Sequence, residues 1–152
     1  MGSFHDATDL VWPAQLKSKQ ETRMADGAFT FTKLIVGDLE RSAAFYRDVC
    51  GLTEVNRISA ESDGRSLTEI ILTGDPAGPA TLILISYHGE PIGPKGDSVL
   101  GFYTADIDAF LERLVKAGGS VTSPVKALPE AGLKYAMATD HEGHIIEPLQ
   151  RL

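Results

Sequence analysis

Few side chains in this sequence can do chemistry, and their spacing narrows what that chemistry would be. Near the C-terminus, Asp140-His141-Glu142-Gly143-His144 gathers two imidazoles and two carboxylates around a glycine, donor types that suit a divalent ion. Their phase argues against a shared ion. In a strand leading from His144 to Glu147 these two residues face opposite sides, and histidines of such a turn are expected in water. Lys33 alternates with Phe29, Phe31 and Ile35 along one side of an extended stretch, an ammonium set among aromatic and aliphatic groups. Glu147 follows Ile145-Ile146 and is the matching carboxylate. Facing one apolar interior, Lys33 and Glu147 could anchor a ligand's polar group or exchange protons with it. The plainer reading is a self-neutralising pair, or a lysine whose amine reaches water.

Ser86, Tyr103 and Thr104 add hydroxyls, and His88 adds an imidazole in a loop. Cys50 falls in an apolar stripe at the end of a helix, where burial and the helix terminus both oppose a reactive thiolate. Gly74 to Gly78 lacks the lysine and the following helix of a phosphate loop, and no serine, histidine and aspartate share a recognisable nucleophile spacing.

The elements that must position these groups repeat. The run 29–36 reads as a strand. Gly37 turns the chain and Asp38 is placed to cap a helix whose apolar positions include Leu39, Ala43, Tyr46 and Cys50, ending at Gly51. Strands are predicted at Glu54 to Ile58, Ser66 to Thr73 and Ala80 to Tyr87, with a loop from Ser59 to Arg65 and a Gly/Pro-rich turn at 74–79. After a crossover, 88–97, the plan returns: a strand at Val99 to Thr104, a capping Asp106, and a helix with Ile107, Phe110, Leu111, Leu114 and Val115 ending at Gly118-Gly119. Three strands follow, at Ser120 to Val125, Leu133 to Thr139 and His144 to Leu149. The sequence predicts an α+β fold of two βαβββ modules, 28–90 and 98–150, forming a curved mixed sheet around a cavity. Residues 1–27, with Trp12 among scattered apolar residues, form an N-terminal arm.

The 152 residues carry 14 basic and 21 acidic side chains, a formal charge of −7 with no dense Lys/Arg cluster, which excludes a nucleic-acid surface. A single cysteine excludes an internal disulfide, and no membrane span or secretion signal is visible, so a soluble cytoplasmic protein is expected.

The string Leu34-Ile35-Val36-Gly37-Asp38-Leu39-Glu40-Arg41-Ser42, with Phe45-Tyr46-Arg47-Asp48 and Gly51-Leu52, resembles the opening of vicinal oxygen chelate proteins. These include glyoxalase I, bleomycin-resistance proteins and extradiol dioxygenases. The stretch Thr139 to Glu147 is similar to that superfamily's closing hairpin and last strand, so the likeness covers residues 29 to 150. It implies the glyoxalase/bleomycin-resistance-like fold and a homodimer. It also implies four cavity positions that hold a divalent ion in metal-dependent members, which fall here on Phe31, Leu84, Leu100 and Glu147.

Only Glu147 can be a ligand, and one carboxylate does not hold such an ion against water. No metal and no other cofactor are therefore expected. The cavity, lined by Phe29, Phe31, Leu84, Leu100 and Phe102 with Ser86 near its rim, should take a small, largely apolar organic molecule. Lys33 and Glu147 are the candidate catalytic pair of a metal-independent lyase, isomerase or cyclase. The alternatives are a non-enzymatic binding or resistance protein that sequesters its ligand, and a metal-dependent glyoxalase-like lyase.

Overall fold

The computed structural model describes residues 31–78, 81–93, 96 and 98–152. The N-terminal arm and Phe29 lie outside them. The element order is β1 (Thr32–Ile35), α1 (Leu39–Asp48), β2 (Thr53–Ser62), β3 (Arg65–Thr73), β4 (Leu82–Tyr87), β5 (Val99–Tyr103), α2 (Ile107–Lys116), β6 (Ser120–Leu128), β7 (Leu133–Thr139) and β8 (Ile145–Arg151). Each half is thus βαβββ. The strands form two four-stranded sheets, β1-β4-β3-β2 (sheet 1) and β5-β8-β7-β6 (sheet 2). In each, the first strand runs parallel to the last of its module and the remaining pairs are antiparallel.

Both helices start where the sequence places them. The Asp38 carboxylate accepts the Arg41 amide at 3.0 Å, and Asp106 accepts that of Ala109 at 3.0 Å, each meeting a donor the first turn leaves unpaired. The predicted loop from Ser59 to Arg65 is instead mostly strand. β2 and β3 meet at the two-residue turn Asp63-Gly64, where φ is 53° and 73°. Asp-Gly accepts two positive φ angles in succession, which matches the twist of a tight hairpin and leaves the flanking polar residues free to pair.

Alternation along the strands gives each sheet a helix side and an open side. Leu34, Val36, Ile70, Leu72, Leu82 and Leu84 meet Ala43, Phe45, Tyr46 and Val49 of the first helical segment. Phe110, Leu114, Ala138 and Ile146 of the second half join the same cluster. One core therefore spans both modules, and the helix sides of the two sheets share it.

Candidate functional site

On β1, Phe31, Lys33 and Ile35 project to the open side, since their neighbours Leu34 and Val36 are buried in the core. The Lys33 ammonium is ion-paired with Glu69 of β3 and lies 5.8 Å from the centroid of the Phe31 ring. Register explains the pairing. Lys33 is opposite Ile83 and Glu69 is opposite Ile85, so the two side chains meet across β4. Glu69 is well covered and Lys33 half-exposed, which keeps the pair's contribution to stability within about 1 kcal/mol. Sequence reading missed Glu69. Its signal was present, because Leu67, Glu69 and Ile71 are in phase on one side of β3, and a carboxylate set there faces whatever Leu67 and Ile71 face.

Glu147 lies on the open side of sheet 2, opposite Gly101, and its carboxylate makes no hydrogen bond or ion pair among the described residues. Lys33 and Glu147 are thus both on open faces, but on different sheets, and Lys33 is held by Glu69. Three of the expected cavity residues face the other way. Leu84 is completely buried opposite Leu34 in the core. Leu100 and Phe102 pack against that core as partners of Ile146 and Pro148, with the Phe102 ring 6.3 Å from Phe110 and 6.5 Å from Tyr46.

The physical reason is a one-residue slip, which inverts a strand's sides. Phe31 is seven residues before Asp38 (38 − 7 = 31), and the same interval before Asp106 falls on Val99 (106 − 7 = 99), not on Leu100. Val99 is 51% exposed on the open side, as is Tyr103 at 52%. Ser86 is on the helix side of β4, beyond the core. Thr104 donates its hydroxyl to the carbonyl of Asp106 at 3.1 Å and serves the start of α2.

The correct open-side neighbours, Phe31, Ile83, Ile85, Val99 and Gly101, offer no side-chain donor to a metal ion. The donor set does not fit the divalent ion of the family's metal-dependent members: Glu147 has no ligand-type neighbour at these positions, Glu69 is taken by Lys33, and among the described residues no group of three or more His, Cys, Asp or Glu side chains could hold an ion.

The hairpin histidines are buried, contrary to the expectation of solvated turn residues. His144 Nδ1 lies 2.7 Å from Asp140 Oδ2, and the His144 and Glu142 amides each donate to Asp140 Oδ1 at 2.9 Å. The Tyr46 hydroxyl donates to Asp140 Oδ2 at 2.9 Å, and His144 Nε2 is 3.3 Å from the carbonyl oxygen of Ile35. Glu142 accepts the amides of Gly37 at 3.0 Å and Asp38 at 2.8 Å. Burial works to raise the Asp140 carboxyl, but the His144 ring and amide and the Tyr46 hydroxyl outweigh it and hold the group at about 2. Burial and the adjacent Asp140 charge push the Tyr46 phenol far up. Burial also pushes the Cys50 thiol up to about 12, which leaves no thiolate for catalysis. The hairpin is a lock between modules. His141 Nδ1 is buried there without a hydrogen-bond partner, but among the described residues no group of three or more His, Cys, Asp or Glu side chains could hold a metal ion.

Two sheets whose helix sides share one core, each keeping an exposed side with an apolar surface and a charged group, define a paired-module α+β scaffold. The chain belongs to the Glyoxalase/Bleomycin resistance protein/Dioxygenase superfamily, whose family model matches residues 28–147. It is 26% identical over 129 residues to a probable lactoylglutathione lyase of Vibrio parahaemolyticus, an alignment covering 84% of this chain and 93% of that protein. A glyoxalase family protein from Bacillus cereus superposes with a TM-score of 0.71 at 16% identity, over 91% of this chain and 99% of that one. A mutant of glyoxalase I from Zea mays superposes with a TM-score of 0.67 at 25% identity. That match covers 80% of this chain but 45% of the maize chain, so this protein spans under half of it. Among the described residues, no helix is long and apolar enough to cross a membrane.

Proposed function

We propose that two copies of this chain bring the open face of sheet 1 in one against the open face of sheet 2 in the other, enclosing a small, largely apolar organic molecule. The supporting observation is exposure. Phe31 (42%), Ile35 (49%), Val99 (51%) and Tyr103 (52%) stand in solvent around Lys33 and Glu147, although all four are large and apolar or aromatic. Such patches on both faces favour closure over hydration. In the closed cavity the Lys33 ammonium, steadied by Glu69 and the Phe31 ring, donates a hydrogen bond to a carbonyl oxygen of the substrate. The Glu147 carboxylate removes a proton from the adjacent carbon, the negative charge develops on that oxygen, and the proton returns at a neighbouring atom. This is an isomerisation. Where the next carbon carries a leaving group, the enolate instead expels it with the bonding electrons, the departing group takes the proton held by Glu147, and the outcome is a lyase-type elimination. The ammonium meets the developing charge in either case.

A second reading is sequestration without turnover, which the neutralised Lys33 and Glu69 pair favours. A metal-dependent lyase is suggested by the Vibrio relative's name and is opposed by the donor set.

Native mass spectrometry of protein purified without chelator tests the reading. It expects a homodimer carrying a small organic guest, whose conversion is abolished in Lys33→Ala. A guest retained unchanged by the wild type would establish sequestration instead. A stoichiometric divalent ion that disappears in Glu147→Ala would overturn the metal-free reading.

A further inference from the structure

A second groove lies on the opposite side of sheet 1 from Lys33 and Glu69. Under α1 this side is apolar, with Ile70 and Leu84 in the core. One step further along the strands it turns polar. Ser59 on β2 pairs with Thr68 on β3, and Thr68 pairs with Ser86 on β4, so three hydroxyls cross three strands in a row, with backbones about 4.8 Å apart. His88, two residues past Ser86, extends the row. Its Nε2 is 3.0 Å from Thr68 Oγ1, which is 3.2 Å from Ser59 Oγ. The Ser86 hydroxyl has no hydrogen-bond partner among the described residues. These side chains border a groove of about 580 Å³ together with Arg57 and residues 37–40.

The charged side chains bordering this groove are already engaged with one another or with the backbone. Arg57 bonds Glu54 at 3.1 Å and Glu40 at 3.2 Å, and the Asp38 carboxylate is taken by the Arg41 amide. The amides of Gly37 and Asp38 are occupied by Glu142. Among the described residues bordering the groove, the guanidinium of Arg57 is already paired and the carboxylates of Asp38 and Glu40 each already accept a bond, so a phosphate or an ammonium would meet no unengaged opposite charge. What remains is neutral and can both donate and accept: hydroxyls that rotate, and an imidazole whose tautomer reverses the direction of the row.

We propose that this groove binds a neutral, hydroxyl-rich molecule of monosaccharide size through Ser59, Thr68, Ser86 and His88. Polyols present interchangeable donors and acceptors at close spacing, as this row does, and the volume falls within the ordinary range of small-molecule sites. The site is separate from the apolar open faces, and the proposal does not depend on the reading given for them.

An amide-resolved NMR titration of the full chain tests it, using D-glucose and myo-inositol as probes and inorganic phosphate as a comparison. At least one polyol is expected to shift the amides of Ser59, Thr68, Ser86 and His88 saturably, while phosphate does not. Thr68→Val keeps the branched shape and removes the hydroxyl, and should weaken that binding about fivefold, the effect of one lost hydrogen bond. Ser59→Ala should act in the same direction, and Lys33→Ala should bind as the wild type does. Absence of saturable shifts with both polyols would overturn the proposal, as would wild-type affinity in both groove variants, or phosphate binding to the same amides more tightly than either polyol.

Discussion

In the first half of the chain residues 74–77, which lead out of β3 toward β4, stand in solvent, and the Asp75 carboxylate there accepts the Ala77 amide at 2.9 Å. In the second half the corresponding turn between β7 and β8 is anchored inside by buried Asp140 and His144, and Asp140, only 3% exposed, receives bonds from the Tyr46 hydroxyl, two amides and the His144 ring. One repeated plan thus has a solvated turn in one copy and a module lock in the other. The open faces differ as well. Sheet 1 presents an ammonium already paired with Glu69, while sheet 2 presents Glu147 without a partner among the described residues. The repeat supplies the scaffold twice, and the chemistry comes from where the copies differ.

Substitutions at equivalent places should separate the two roles. Asp140→Ala leaves a buried phenol and buried amides without acceptors and is expected to cost about 3 kcal/mol or more, read as a fall in the urea midpoint. Asp75→Ala, at the exposed turn, should cost less than about 1 kcal/mol. Equal losses would contradict the assignment of the second turn as the lock.

Acid should reveal the same asymmetry. Because the Asp140 carboxyl is held at about 2, below its ordinary range, its stabilising contribution is complete above about pH 4 and disappears as the pH falls toward 2. Roughly 2 kcal/mol of stability should vanish across that window, and the corresponding component should be missing from the acid titration of Asp140→Asn. Tyr46→Phe removes one donor while the His144 ring continues to satisfy Asp140, so a smaller loss of about 1 to 2 kcal/mol is expected by the same denaturation measurement. Glu69→Gln should move stability least, by under about 1 kcal/mol, since its pair is half-exposed. Its effect belongs in guest affinity, where the freed ammonium changes what Lys33 offers a ligand.

Local signals were the legible part of the fold. Asp38 and Asp106 cap their helices because capping depends on residues three apart, and the strand alternation around Lys33 holds because its phase was fixed by the adjacent Gly37-Asp38 pair. Leu84, Leu100 and Phe102 were legible as strand residues but not as to side. From Leu82 to Ile85 the strand Leu82–Tyr87 is apolar throughout and its first polar residue, Ser86, lies on the helix side, so nothing marks the open side, and a slip of one position reverses every side chain. Glu69 could have been found from its phase with Leu67 and Ile71. The burial of His141 and His144 could not, since it depends on Tyr46 and the carbonyl of Ile35, about 94 to 109 positions away in sequence.

The shared cavity is tested most directly by mixing two inactive variants. Lys33→Ala and Glu147→Ala are unfolded together, refolded as a mixture and assayed for the organic guest. Each hybrid dimer would combine Lys33 of one copy with Glu147 of the other in one of its two cavities. The account predicts recovery of about a quarter of wild-type guest binding or conversion after random pairing. Mixed protein that forms hybrid dimers and yet stays at the level of the two separate variants would contradict it.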